Sequence, residues 1–305
     1  MPDVQRMDRL RGLAAHLRLH LRGQDAVLDR ICPALARGEM DLGDPSRPRG
    51  SFLFVGPTGT GKTELAQLFT NYLFGPEHLV SFDLSEYQNK SSVERLLGAD
   101  RSDPGLLGRA LATHKGGTLL FDEIEKAHAD FLDLFLQMVW HGRITFATGA
   151  TISLTPYYLV FTSNIGAAEA MRMEHSTPAG VESAVLRRVE QTLRPELVGR
   201  FDEKLVFRRL SYEVQREICE HLVAREIRRL KNLGFDLQVS REALEFLVRE
   251  GHHPHLGARP MRRAVEQHLQ DAVVRAMFAT GIGHGFVSLD GSRQRLAIHA
   301  SWSRG

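Results

Sequence analysis

The stretch Gly56-Pro57-Thr58-Gly59-Thr60-Gly61-Lys62-Thr63 fits the pattern G-x-x-x-x-G-K-[ST] at every fixed position. Glycines at this spacing let backbone N–H groups curl around phosphate oxygens, and a helix that follows turns its positive dipole end toward them. Lys62 is placed to reach the β and γ phosphates of ATP, and the Thr63 hydroxyl to bind Mg²⁺. A chance glycine turn would give the same letters. It would not give the apolar run Ser51–Val55 leading in and the helical pattern Lys62–Phe74 leading out. Downstream, Leu119-Leu120-Phe121 runs into Asp122-Glu123, an apolar strand ending in two carboxylates. Such a pair needs a cation to offset its burial. Asp122 suits a Mg²⁺ site, and Glu123 suits a general base acting on water. A third strand, Tyr158–Thr162, ends in Ser163-Asn164, whose amide could orient that water; alone, an Asn after a strand is an ordinary turn residue.

These groups need a scaffold that brings several strand ends together. Ser51–Val55, Leu79–Asp83, Thr118–Asp122, Tyr158–Thr162 and Lys204–Phe207 are continuous apolar runs, which predicts strands buried on both faces of a parallel sheet. Helical patterns lie between them, among them Gln24–Arg37 and Ala127–Trp140, the latter with a core stripe of Phe131, Leu134, Phe135, Met138 and Val139. Gly38–Gly50 reads as a turn-rich linker. From about Leu210 the pattern becomes helical (Glu213–Leu230, Arg241–Arg249, Arg259–Thr280) and closes on two short alternating segments, Phe286–Leu289 and Arg295–His299. The expected division is an N-terminal helix over 1–22, a large α/β domain over 23–209 and a small domain over 210–305. Leu10, Leu13, Leu17 and Leu21 are spaced to lay the first helix on the main domain. A basic membrane-surface helix is the lesser reading, because Asp3 and Asp8 dilute its charge.

With 39 Lys and Arg against 37 Asp and Glu, the net charge of +2 offers no field for non-specific nucleic-acid binding. Two isolated cysteines, Cys32 and Cys219, form no disulfide framework or metal spacing. No apolar run is long enough to span a bilayer. A cytoplasmic location is expected, with neither membrane nor nucleic acid as a partner. His252-His253-Pro254-His255 is read as a turn rather than a metal tract, and His128 as a helix-start residue rather than a base.

Taken in order, the phosphate loop, the Asp122–Glu123 pair and the Asn164 strand resemble an AAA+ ATPase. DPSRPRGSFLFVGPTGTGKTELA, SFDLSEY, LLFDEIEKAH, GRIT, FTSNIG, LRPELVGRFDE and LGARPMRRAVE resemble the second ATPase module of the ClpA/ClpB-type Clp family over about residues 10–290. The resemblance implies an α/β core with a five-stranded parallel sheet, a small, mostly helical lid domain, and hydrolysis of ATP with Mg²⁺. It also implies that Arg200 (in GRFDE) is an arginine finger acting on a neighbouring subunit's nucleotide, with Arg194 a second interface candidate. Arg259 (in GARP) matches the second sensor of the γ-phosphate. Leu21 and Arg22 match the segment that contacts adenine. The family has a β-branched apolar pair there, so Arg22 either stacks on the base or points to solvent.

The resemblance has gaps. The threading members carry a Gly-aromatic-Val-Gly pore loop where this chain reads Gly98-Ala99-Asp100-Arg101-Ser102-Asp103-Pro104-Gly105-Leu106-Leu107-Gly108-Arg109, without an aromatic residue. Leu106 and Leu107 are read as opening the next helix. The tripeptide that docks a ClpP-type peptidase is missing from Gly166–Glu190, so no such peptidase is expected as a partner. A finger acting in trans requires a homo-oligomer, either a six-membered ring or a helical assembly. The expected role is remodelling of a dedicated, unidentified protein partner. A nucleotide-switched scaffold of the torsin kind is the alternative, and a conventional unfoldase or disaggregase stands third.

Overall fold

Along Gly50–Val55 every residue is buried, yet the side chains part to two sides: Phe52 and Phe54 join one apolar cluster, Leu53 and Val55 another. A strand's period of two does this whenever both faces of its sheet are covered. In the computed structural model, which describes residues 4–173, 176–280, 284–292 and 294–299, the chain divides into two units after Arg208.

The first unit runs α1 (Val4–His20), α2 (Asp25–Glu39), β1 (Gly50–Val55), α3 (Lys62–Leu73), β2 (Leu79–Asp83), α4 (Lys90–Leu97), α5 (Gly105–Thr113), β3 (Gly117–Asp122), α6 (Ala129–His141), β4 (Arg143–Thr145), β5 (Thr151–Ser153), β6 (Tyr157–Ser163), α7 (Ala167–Arg172), α8 (Pro178–Thr192), α9 (Pro195–Val198) and β7 (Glu203–Val206). Five strands make the parallel sheet, in the order β2-β3-β6-β1-β7. On one face Leu13, Leu17, Leu28, Ile31, Leu65 and Phe69, from α1, α2 and α3, cover Phe52, Phe54, Leu120, Tyr158 and Val160. On the other, Phe131, Phe135 and Met138 of α6, with residues of α4, α5, α8 and α9, cover Leu53, Leu119, Leu159 and Phe161. Burying one such side chain contributes about 1.5–3 kcal/mol, so the two layers fix the register of the strands and therefore of their tips.

Leu13, Leu17 and Leu21 are buried in the same cluster as the sheet, so α1 lies on the first unit as their spacing predicts; residues 1–3 of that expected helix lie outside the described residues. Elsewhere the structure departs from the sequence reading. β2 is not buried on both faces. It is an edge strand in which only Phe82 is fully buried. The pair β4 and β5 is a short antiparallel hairpin whose polar, alternating letters carry little strand signal.

The second unit has α10 (Tyr212–Asn232), β8 (Asp236–Val239), α11 (Arg241–Gly251), α12 (Arg259–Thr280), β9 (His284–Asp290) and β10 (Arg295–His299). Ser211 and Ser240 cap α10 and α11, accepting the Val214 and Ala243 N–H groups at 3.3 and 3.1 Å. Its core joins Cys219, Leu222, Phe246, Leu247, Val265 and Leu269. The two closing segments are strands, and β8, which the sequence did not announce, pairs parallel with β9 to make a three-stranded sheet. Among the described residues, no helix is long and apolar enough to cross a membrane.

Candidate active site

The phosphate-binding loop is shaped by glycines that no other residue could replace cheaply. Gly56 has φ +134°, and a Cβ there would lie 2.4 Å from the Phe207 carbonyl oxygen. Gly61, at φ +102°, sits against Leu21, whose Cδ1 would be 2.6 Å from an added Cβ. α3 starts at Lys62, so its unpaired first-turn N–H groups face the loop, the arrangement that binds anions at helix N-termini. Thr60 donates to Pro57 O at 2.8 Å and closes the turn. Gln24, 2% exposed, locks it from behind. Its Nε2 donates to Thr60 O at 3.2 Å and to Arg208 O at 2.9 Å, and its Oε1 accepts the Arg208 N–H at 3.0 Å.

β3, β6 and β1 are adjacent, so their carboxyl ends bring the remaining groups to the loop. Ligands bind at this edge in open parallel sheets because the following turns and helix N-termini gather there. Lys62 Nζ donates to Gly56 O (2.7 Å), Pro57 O (2.9 Å) and Asn164 Oδ1 (3.0 Å). Thr63 Oγ1 donates to the Asp122 carboxylate at 3.2 and 3.4 Å. Thr162 donates to Asp122 Oδ1 at 2.6 Å and accepts the Glu123 N–H at 3.2 Å. Asn164 Nδ2 donates to Glu123 Oε1 at 3.2 Å, while its backbone N–H goes to Glu125 Oε1 at 3.0 Å. Glu123 has φ +60° and ψ +53°, a left-handed backbone that costs a non-glycine residue roughly 1–2 kcal/mol. The Thr162 hydroxyl and the Asn164 amide hold it there.

The donor set fits the groups the motif implies. The Thr63 hydroxyl and Asp122 carboxylate stand side by side as hard oxygen ligands of the kind Mg²⁺ prefers. At Gly56 and Gly61 a side chain would strike Phe207 or Leu21, so glycine is what lets the loop keep the curl that can turn its N–H groups toward an anion. Lys62 is the cation at its floor.

Of the other expected residues, Arg200 and Arg194 make their contacts elsewhere in the first unit. Arg200 stacks on Trp140, its Cζ 3.9 Å from the ring centroid, and none of its hydrogen bonds or ring contacts is to the loop. Arg194 pairs with Asp133 of the same chain. Arg259 opens α12 in the second unit and is exposed. Leu21 is buried beside Gly61, and Arg22 is half-buried. His128 caps α6, its Nδ1 accepting the Asp130 N–H at 3.3 Å. His253 accepts the backbone N–H groups of His255 and Leu256 through Nδ1, at 3.0 and 3.1 Å. Leu107 is buried inside α5 and Leu106 is 37% exposed on it.

Sequence reasoning passed over Gln24, Thr162, Glu125 and Trp140. Gln24 and Thr162 work through partners far along the chain, so no local pattern marks them. Thr162 did carry one signal: it is the last side chain before the Ser163-Asn164 pair on a strand already chosen.

A glycine loop gripping a lysine, with a threonine–aspartate pair and a glutamate at the next strand tips, defines a P-loop nucleoside-triphosphate hydrolase. Comparison with known proteins narrows the class. Residues 47–204 match the model of the AAA domain (Cdc48 subfamily), and residues 210–285 match the C-terminal, D2-small domain of ClpB protein. The chain is 36% identical over 280 residues to heat shock protein 100 of Trypanosoma brucei brucei, covering 89% of this chain and 32% of the relative. It is 36% identical over 281 residues to chaperone protein ClpB of Lactiplantibacillus plantarum (89% of this chain, 32% of the relative). It is 38% identical over 269 residues to the ATP-dependent Clp protease ATP-binding subunit ClpE of Lactococcus lactis subsp. lactis (86% and 36%). The chain therefore belongs to the Clp-type AAA+ ATPases and corresponds to their second ATPase module. It spans about one third of the length of these relatives.

Proposed function

We propose that this protein hydrolyses ATP with Mg²⁺ at the cluster around Lys62 and uses the energy to remodel a dedicated protein partner. The observation that carries the first part is the unbroken set of hydrogen bonds Thr63–Asp122–Thr162–Glu123–Asn164–Lys62, which joins the phosphate loop to the tips of β3 and β6. The loop amides and Lys62 hold the β and γ phosphates. Thr63 and Asp122 hold Mg²⁺, which when bound neutralises charge developing between the β and γ oxygens. The Glu123 carboxylate accepts the proton of the attacking water, and Asn164 keeps that carboxylate turned toward the loop. Leu21 and Arg22 border the adenine. Arg259 senses the γ-phosphate, and Arg200 completes the pocket of a neighbouring copy. The working form is therefore a ring or helix of this chain, in the cytoplasm, with domains over 23–209 and 210–305.

Support for a dedicated partner comes from the segment between α4 and α5. It is pinned by Asp100, whose carboxylate accepts the Ser102 N–H at 2.7 Å, and by Asp103, which accepts the Gly105 N–H at 2.9 Å. It offers no aromatic surface with which to grip an arbitrary unfolded chain. The named relatives are a heat shock protein, a chaperone and the ATP-binding subunit of a Clp protease, which favours a protein substrate. The test is Mg²⁺-dependent phosphate release by purified protein across a range of concentrations, together with reactivation of an aggregated model protein. Turnover that rises with protein concentration, without reactivation, is expected. Efficient reactivation would favour a conventional disaggregase. A nucleotide-switched scaffold is favoured instead if Glu123→Gln assembles with ATP and no partner is altered by wild-type turnover.

A further inference from the structure

Most arginines of the first unit that could serve in an ion pair do so. Arg30 reaches Glu182 and Glu203, Arg49 reaches Glu39, Arg194 reaches Asp133, and Arg47 reaches Asp202 at 3.5 Å. Arg200 differs. Among the described residues its guanidinium has no carboxylate and no hydrogen-bond acceptor, and Nη1 is buried without a partner. What holds it is the indole of Trp140, in the last turn of α6. The Arg200 Cζ lies 3.9 Å from the ring centroid, and Trp140 as a residue is still 47% exposed. Arg47 stands 5.3 Å from the same ring and donates to the Arg200 carbonyl at 3.2 Å, fixing the backbone beneath the stack.

We infer that Trp140 is a positioning residue for Arg200, a flat platform that orders the guanidinium at the subunit surface without neutralising it. The inference rests on the reading of Arg200 as the residue given in trans. A long arginine side chain loses considerable rotamer freedom on crossing an interface. A carboxylate partner would remove that freedom beforehand, but would occupy the fork and cancel the charge meant for a neighbour's phosphate. An aromatic face restrains the plane through its quadrupole and consumes no N–H. The contact is not directional, so the guanidinium can slide on the ring until Nη1 meets the acceptor it lacks. The second copy of the chain, with its anionic nucleotide, supplies that acceptor.

The test mixes full-length variants. Arg200→Ala keeps its phosphate site but gives no guanidinium; Glu123→Gln gives one but cannot hydrolyse. A mixture of the two should recover turnover at Arg200→Ala sites beside Glu123→Gln neighbours. With a Glu123→Gln/Trp140→Ala donor, recovery should fall about 2- to 30-fold, the range spanned by exposed to desolvated cation–π contacts. The KM for ATP at the acceptor sites should not change, and a Glu123→Gln/Trp140→Phe donor should restore most of the recovery. Equal recovery with the Trp140→Ala donor overturns the platform. So does a Trp140→Ala donor that fails to sediment with Arg200→Ala, because Trp140 would then be an assembly contact. If Arg200→Ala alone keeps full turnover, the trans reading itself is wrong and the platform goes with it. The three failures are separable by readout.

Discussion

Thr162 Oγ1 donates to Asp122 Oδ1 at 2.6 Å and itself accepts the backbone N–H of Glu123 at 3.2 Å. One hydroxyl on β6 thus sets both the orientation of the Asp122 carboxylate and the left-handed turn that carries Glu123. Hydroxyl-to-carboxylate bonds of this length are among the stronger hydrogen bonds in proteins. Thr162→Val keeps the shape and removes both bonds. Support groups of this kind typically change metal affinity or activity by about 10- to 100-fold. We expect kcat to fall by that factor, with a matching rise in the Mg²⁺ needed for half-maximal turnover, while nucleotide affinity measured without hydrolysis stays within about threefold. Steady-state kinetics over a Mg²⁺ titration decides it. A normal metal requirement would show that Asp122 orients itself.

Glu123→Gln leaves the backbone and the Asn164 contact available but removes the carboxylate proposed to accept the proton. General-base removal is expected to slow hydrolysis about 10²- to 10⁴-fold with ATP binding retained. Single-turnover phosphate release measured beside fluorescent-nucleotide binding separates the two. A variant that binds ATP poorly would move Glu123 from chemistry to nucleotide affinity.

How much of this could be read from the letters differs by element. The loop, Asp122, Glu123 and Asn164 were legible because each follows an apolar strand, and a strand's end fixes where the next side chain points. The strands themselves were placed to within a residue or so, since burial on both faces leaves a continuous apolar signature. β2 looked the same in sequence yet lies at the sheet edge, a matter of neighbours that periodicity cannot reveal. The β4–β5 hairpin was invisible because three-residue strands carry too few positions to show a period, and β8 because its four residues, unlike those of β7, include no continuous apolar run. The contacts of Gln24 and Arg208 span 184 positions, and no window along the chain joins them.

Gln24 is the next test. Replacing it with Leu would strand the Arg208 N–H and two carbonyl oxygens at a buried position. Leaving such groups unpaired costs about 1–3 kcal/mol each. We expect Gln24→Leu to lower Tm by several degrees and to raise the KM for ATP more than it lowers kcat, because the loop loses its backing rather than its chemistry. Differential scanning fluorimetry with and without ATP is the measurement. A fall in kcat at unchanged KM would place Gln24 in the reaction instead.

In the second unit, Arg229 donates to Glu226 at 2.8 and 2.6 Å, and Gln270 adds a bond at 3.1 Å. The Arg229 hydrogen bonds hold the Glu226 carboxyl below the usual carboxylate range, against the opposing effect of its burial, with Gln270 assisting. A carboxyl depressed in the folded state binds fewer protons there than when unfolded. Its stabilisation is therefore complete above its unfolded value of 4.5 and is lost as pH falls through the lower folded value. Arg229 is half exposed, which screens the pair, so the effect is kept to about 1 kcal/mol, or roughly 2–4 °C in Tm. Glu226→Gln should melt lower than wild type at pH 7, and the gap should close as pH is taken below 4. A gap that stays constant to pH 3 would assign the loss to packing around α10 and α12 rather than to the charge on Glu226.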